Sequence, residues 1–395
     1  MLRYVAVALR LLFANHTPHR SGAENALLRL LEGLPSEHPR AVACPAPGAL
    51  ASALAERAIS QYSVPETDIS LRLHPIHTPL GLARMTAAAV ALRHTIRDFR
   101  ADLVHANSLR AGLIALAATS LDGPPVVVQS HDHLPPGRVS QLTRRAVARG
   151  AGAVIAVTDR TRANFDAGLP EPVAERVYIS VDHVRFSPDA APFPDVRAEL
   201  GLPPGTPLIG EVAQITPWKG QDVAIAALAE ARRNVDAHLL IVGEVAFTSR
   251  RYDNEAYRRS LEDQVARLGL QRTVHFLGHR DDIPGLMHAL DILLLPSRDE
   301  PFGTVAAEAM AMGTPAFVSA EGGASEYVED RVNGRILPRD DARAWGAAVC
   351  ELVTDPETGR RMGVEARRTA QRFNDETYSA EVLAVYERVL SAAAR

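Results

Sequence analysis

Cysteine is almost absent from this chain. Cys44 and Cys350 are the only two in 395 residues, too few and too far apart for a disulfide framework or a cysteine-rich metal site. A reducing cytoplasm is the compartment that suits such a chain. Basic charge is not in excess either. There are 43 Lys and Arg against 47 Asp and Glu, for a net charge of −4, and no stretch gathers them into the stripe that a nucleic-acid binder needs. Long apolar runs are missing as well. The run Ala111–Thr119 is bounded by Arg110 and Asp122, well short of the about 20 apolar residues that span a bilayer, and reads as a core helix. The run Tyr4–Phe13 is interrupted by Arg10 and followed by no small-residue cleavage site, so it reads as a buried strand and not as a signal peptide. No fixed-period repeat, low-complexity tract or three-glycine dinucleotide fingerprint occurs; the last absence argues against a nicotinamide enzyme.

What is present is the composition of an ordinary globular protein, 47% hydrophobic and 23% charged, long enough for two or three domains. Short apolar runs alternate with helical patterns, the layout of βαβ units and parallel sheets. In the first half the expected strands are Val5–Phe13, Arg40–Ala43, Ile69–Leu73, Asp102–His105, Pro125–Gln129, Ala153–Val157 and Val177–Ile179. Six prolines fall in positions 186–207, where each fixes φ and denies a ladder hydrogen bond. The rhythm then restarts at Leu208–Ala213 and ends in helices after Asp340. The expected organisation is therefore an N-terminal Rossmann-like domain (1–185), a proline-rich linker (186–207), a second Rossmann-like domain (208–375) and a C-terminal helix (376–395) that packs back on the first. The fold class is α/β, with two doubly wound parallel sheets facing across a cleft, since such sheets bind ligands beyond the carboxyl ends of their strands.

Several loops carry chemistry. After the strand Ile292–Leu295, Glu300 ends a loop, Gly303 opens a helix, and Glu308 lies about 7.5 Å further along it at 1.5 Å per residue. Between the two carboxylates the N–H groups of Phe302, Gly303 and Thr304 stand at a helix N-terminus, which favours an anion such as phosphate. A surface Glu before a helix and a solvent-facing Glu are the bland alternative. In Gly210–Asp222, Lys219 sits at the first turn of the next helix, where the dipole disfavours a cation unless an anion compensates it; a solvated lysine is the alternative. Gly22, between the first strand and its helix, lets the backbone approach a ligand or simply makes a tight turn. His131, in Gln129–His133, and His105 end strands at the expected cleft, where hydrogen bonding to a ligand is a better role than metal ligation, because no further ligands occur at metal spacing.

Taken together these segments resemble the family 4 retaining glycosyltransferases of the GT-B fold over nearly the whole chain. The resemblance rests on Glu300-Pro-Phe-Gly303 with Glu308, Trp218-Lys-Gly220, Asp102-Leu-Val-His105, Ser130-His-Asp132, the hinge-like Ser180–Pro188, Phe276-Leu-Gly278, Gly322-Gly-Ala-Ser-Glu326 and Asn333-Gly334. It implies that Glu308 binds the ribose hydroxyls of a nucleotide sugar and Glu300 the hydroxyls of the transferred sugar. Phe302, Gly303 and Thr304 would offer amides to the diphosphate, which Lys219 would neutralise. His131 would lie by the anomeric carbon, Gly22 over the phosphates and acceptor, and Arg280 by the base. The catalytic set would be His131, Glu300 and Lys219. No metal or other cofactor is implied, and the reaction the resemblance implies is front-face transfer with retention, expected from a UDP-sugar to a hydroxyl acceptor such as a glycan, a lipid-linked sugar or a small natural product. A catalytically silent nucleotide-sugar scaffold and a GT-B epimerase or phosphorylase are the alternatives.

The sequence departs from the family pattern in three places. Ala213-Gln214 replaces Gly-Arg before the Lys-Gly pair, Ser21-Gly22 replaces a double glycine, and Ile179-Ser180 replaces Asn-Gly at the hinge. Gln214 can donate to the diphosphate but cannot balance its charge, which leaves Arg20 and Arg298 as candidate substitutes. His74, His77 and His133 read as surface residues. The basic helix Arg138–Arg149 reads as solvated and not as a membrane anchor.

Overall fold

A computed structural model describes residues 8–67, 77–120, 122–190, 192–245 and 253–394. The expected strand Ile69–Leu73 and His74 lie outside these, as does the His77 side chain. The chain divides into two compact units, one made of Met1–Ser180 with Asp375–Arg395, the other of Val181–Asn374.

In the first unit the elements run β1 (Leu11–Ala14), α1 (Gly22–Gly33), β2 (Arg40–Cys44), α2 (Ala49–Glu56), β3 (Ser60–Ser63), α3 (His77–Phe99), β4 (Leu103–Ala106), α4 (Leu109–Thr119), β5 (Val126–Ser130), α5 (Arg138–Gly150), β6 (Ala153–Ala156), α6 (Asp159–Asp166) and β7 (Ala174–Arg176). The described strands form one sheet in the order β3-β2-β1-β4-β5-β6-β7, each pair parallel. β1, β4 and β5 are buried along their whole length, as a sheet covered by helices on both faces requires. Of the expected strand Val5–Phe13, Val5–Val7 lie outside the described residues and Leu11–Phe13 fall in β1; Arg10, just before it, donates through Nε to Phe99 O at 2.6 Å and through its N–H to Asp102 Oδ2 at 2.8 Å. Val177 and Ile179 are buried, but in the segment beyond β7 and not in a strand.

The second unit runs α7 (Val196–Glu199), β8 (Leu208–Val212), α8 (Gln221–Ala231), β9 (His238–Val242), α9 (Asn254–Arg267), β10 (Val274–Gly278), α10 (Ile283–Ala289), β11 (Ile292–Leu295), α11 (Thr304–Ala311), β12 (Ala316–Ser319), β13 (Gly334–Leu337), α12 (Ala342–Thr354) and α13 (Pro356–Ala370). Its strand order is β10-β9-β8-β11-β12-β13. The core packs β8, β9 and β11 against α8 and α12 through residues such as Ile209, Leu228, Ile241 and Trp345.

The proline-rich segment is no free linker. It belongs to the second unit, where Arg197 donates to Thr206 O, Ala289 O and Asp291 Oδ2 at 2.8–2.9 Å. Prolines end strands, but here they do not end a domain. The last helix, α14 (Asp375–Ala393), belongs to the first unit. Its buried stripe of Tyr378, Val382, Val385, Tyr386 and Val389 recurs at the 3–4 residue spacing of one helix face. Tyr378 bonds Gln129 and Tyr386 bonds His105 Nδ1 at 2.8 Å.

Both sheets reverse their strand order once, between β1 and β4 and between β8 and β11. Loops beyond the carboxyl ends of strands flanking such a switch are where doubly wound sheets hold ligands. Those loops contain Asn15–Ser21 and Asn107 in the first unit, and Gln214–Gly220 and Pro296–Gly303 in the second.

Candidate active site

The loops after β8 and β11 are laced together. Gly220 adopts φ +88°, and a Cβ there would fall 2.4 Å from Pro296 O, so only glycine permits this approach. Arg298 N donates to Trp218 O at 2.7 Å, and its guanidinium donates to Pro217 O at 2.6 Å. The lacing sets Lys219 Nζ 2.8 Å from Glu300 Oε2, and Ser297 Oγ donates to the same oxygen at 3.1 Å. Glu300 is buried, and its carbonyl accepts from Gly323 N at 2.7 Å, so the Gly322–Glu326 motif supports it from below. Gly303 is the N-cap of α11 at φ +84°, with Leu295 and Ala324 only 3.0 Å from where a Cβ would lie. Tyr327 OH donates toward the carbonyls of Gly303 and Phe302 at 2.8 and 3.1 Å. The buried Phe302 ring packs on Tyr327 and Phe373. The first N–H groups of α11, those of Thr304 and Val305, have no acceptor within the helix, and the helix begins four residues after Glu300.

Glu308 lies one turn into α11 and is half-buried. Burial pushes its carboxyl up to about 8, with Asp182 adding to the shift and Arg185 opposing it. Arg298, a candidate to replace the missing arginine, is committed elsewhere. It binds both oxygens of Asp222 at 2.9 and 2.6 Å and Asp340 at 2.8 Å. Arg280 is likewise clasped by Asp282 and Glu199 at 2.5–3.1 Å. Gln214 is exposed.

In the first unit Gly22 is exposed in the first turn of α1. Arg20 is exposed and its Nε donates to Asn25. His131 is buried at the end of β5, its Nε2 3.1 Å from Asn107 Oδ1, and burial lowers its pKa to about 4. The expectation that His105 meets a ligand is overturned. It is fully buried against α14, bonded to Tyr386, and burial takes its pKa down to about 3. A side chain inside a four-residue strand points to a sheet face, not to the strand's mouth. Arg144 also departs from expectation, turning inward from α5 to bond Leu134 O and Asn164 O.

Two groups went unread in the sequence. Asp222 anchors Arg298 and also accepts from Tyr257 OH at 2.8 Å; a helix-start aspartate carries no motif of its own. Glu211, in the central strand β8, is buried with no hydrogen-bond partner for either oxygen. Burial, reinforced by Asp222, raises its pKa well above the usual carboxylate range, with Lys219 and Arg298 opposing. A single acid in an otherwise apolar strand was the one signal available. Among the described residues no group of three or more His, Cys, Asp or Glu side chains could hold a metal ion, and no helix is long and apolar enough to cross a membrane.

A lysine, a carboxylate and a helix N-terminus at the switch point of a doubly wound sheet are groups suited to a phosphate-bearing, polyhydroxylated ligand. Comparison with known proteins makes this specific. Residues 192–369 match the family model of glycosyl transferases group 1, and residues 21–181 that of the glycosyl transferase 4-like domain. The D-inositol 3-phosphate glycosyltransferase of Salinispora arenicola is 31% identical over 340 residues, 80% of this chain and 75% of that protein. That of Segniliparus rotundus is 30% identical over 342 residues, 79% and 72% of the two chains. Among solved structures, Anabaena Alr3699/HepE in complex with UDP-glucose is 26% identical with a TM-score of 0.81, covering 96% of this chain and 99% of that one. The chain belongs to the family 4 glycosyltransferases of the GT-B fold. It is an enzyme of the glycosyltransferase class.

Proposed function

We propose that the protein transfers a hexosyl group from a UDP-sugar to a hydroxyl of its acceptor with retention of anomeric configuration. The observation that carries this reading is the Lys219–Glu300 pair beside the N-terminus of α11, in a chain whose structural neighbour binds UDP and UDP-glucose. An ammonium has three donors; one is on Glu300, which leaves two for diphosphate oxygens. Glu300 would then accept from hydroxyls of the transferred sugar, Glu308 from the ribose, and Gln214 would donate to the diphosphate without neutralising it. Gly22 and His131 would serve the acceptor side and the anomeric centre.

In the proposed step the acceptor oxygen bonds to C1 on the face from which the phosphate departs. The C1–O bond breaks, and the released phosphate oxygen takes the hydroxyl proton. Lys219 and the α11 N-terminus carry the charge that develops on the diphosphate, a role for which this reading invokes no metal ion. The acceptor is a glycan, a lipid-linked sugar or a small molecule. Inositol 3-phosphate, named for the relatives, is the first acceptor to try.

A thermal-unfolding panel with UDP, GDP, ADP and TDP tests the donor. UDP at a hundred times its Kd should stabilise by about 2.7 kcal/mol, with the other nucleotides well below it. Stabilisation by GDP alone would discard the uridine assignment.

A further inference from the structure

Four side chains of the first unit form one hydrogen-bonded chain from the first turn of α1 to the end of β5. Glu24 is buried. Its Oε2 accepts from Ser21 N at 3.0 Å and from Ser21 Oγ at 2.6 Å, and its Oε1 accepts from Asn15 Nδ2 at 3.3 Å. Asn15 Nδ2 also donates to Thr17 O at 2.9 Å. A carbonyl can only accept, so this bond settles which end of the amide is nitrogen. Asn15 Oδ1 accepts from Asn107 Nδ2 at 3.2 Å, and that nitrogen also donates to Ala23 O at 3.2 Å. Asn107 therefore turns its oxygen to His131 Nε2, 3.1 Å away. An amide oxygen has no proton to give, so the hydrogen in this bond sits on Nε2. In a neutral imidazole that leaves Nδ1 with its lone pair.

We propose that Glu24, Asn15 and Asn107 are positioning residues that lock His131 as the Nε2–H tautomer and present Nδ1 as a hydrogen-bond acceptor for a substrate hydroxyl. The hydroxyl role rests on the reading of His131 given above; the tautomer does not. A neutral ring with a free lone pair receives an O–H and repels a phosphate oxygen, so His131 addresses a sugar or acceptor hydroxyl and not the diphosphate. The ionisable groups around it are His105 on the adjacent strand, which burial keeps neutral, Glu24 at the far end of the chain, and Asp132 and His133 next in sequence. Burial lowers the pKa of His131 itself to about 4.

The test is a long-range 1H–15N correlation spectrum of the full chain labelled with 15N-histidine, with His131 assigned by difference from His131→Gln. A protonated Nε2 and bare Nδ1, with no titration between about pH 5.5 and 8, are expected. A protonated Nδ1, or titration near the ordinary histidine value, overturns the lock. Asn107→Asp puts a carboxylate against the Nε2–H. It should raise the His131 pKa by about one unit or more. Asn107→Ala removes that acceptor and frees the other tautomer, so it should lower kcat about tenfold, the worth of one hydrogen bond, with donor KM within about twofold. An unmoved His131 titration in Asn107→Asp, or an unmoved kcat in Asn107→Ala, also overturns the proposal. Transfer at the wild-type rate by His131→Gln removes the hydroxyl role and leaves the tautomer to the spectrum.

Discussion

Lys219→Ala is expected to lower kcat by about 10²–10³-fold, the usual cost of removing one preorganised group that stabilises transition-state charge. The figure belongs at the upper end because two of the positions that could share the charge do not: Gln214 is neutral, and Arg298 already satisfies Asp222, Asp340 and the Pro217 carbonyl. The same substitution leaves the Glu300 carboxylate, with 11% of its side chain exposed, held only by Ser297. Breaking a half-buried ion pair should therefore also cost about 1–2 kcal/mol of stability. Lys219→Arg separates charge from geometry: it should recover most of the stability but only part of kcat, since a planar guanidinium does not reproduce a point charge. Single-turnover rates and urea unfolding of both variants check this. A kcat within threefold of wild type for Lys219→Ala would mean that the leaving diphosphate is neutralised elsewhere.

Glu308→Gln should make the protein more stable and a poorer binder of its donor. The Glu308 carboxyl is pushed up to about 8 from an ordinary 4.5, chiefly by burial. A folded-state pKa above the unfolded one means that the group's favourable contribution is complete below about pH 4.5 and is lost as pH rises through about 8. The amide introduced by the substitution does not titrate, so the two proteins should match at pH 5. At pH 9 the variant should lead by on the order of 2–4 kcal/mol in urea unfolding. Donor affinity moves the other way. Ribose hydroxyls that bond to a carboxylate gain about 1.5–3 kcal/mol, so UDP binding measured by calorimetry should weaken about 10–100-fold in the variant. Its wild-type affinity should rise between pH 6 and 9 as the carboxylate forms. A residue that gives up stability for binding in this way is what a functional, partly buried carboxylate predicts.

Most strands were legible because buried parallel strands are continuous apolar runs: Val126–Val128 and Ile292–Leu295 admit little else. The strand Ser60–Ser63 was not, because it is an edge strand of small and polar residues whose burial comes from one side only. The return of α14 to the first unit was legible, but the pairs that seat it, Tyr378 with Gln129 and Tyr386 with His105, lie 249 and 281 residues apart, and no local pattern announces a contact at that separation. The candidate site divides in the same way. Lys219 and Glu300 each stand out in their own loops, but their 2.8 Å pairing spans 81 residues and exists only once β8 and β11 are adjacent. Arg298 reads as a spare cation and Arg280 as a contact for the base because a sequence shows charge and not its partner; the fold pairs both with carboxylates. Glu24 and Asn107 carry no motif of their own, and only the direction of the hydrogen bonds that link them through Asn15 to His131 reveals what they do.

The most direct test of sugar transfer with retention is the NMR spectrum of the new anomeric centre formed from UDP-glucose, an α-linked donor, with inositol 3-phosphate or another hydroxyl acceptor. An α-linked product, formed by the wild type and lost in Lys219→Ala, is the predicted result. A β-linked product would contradict it.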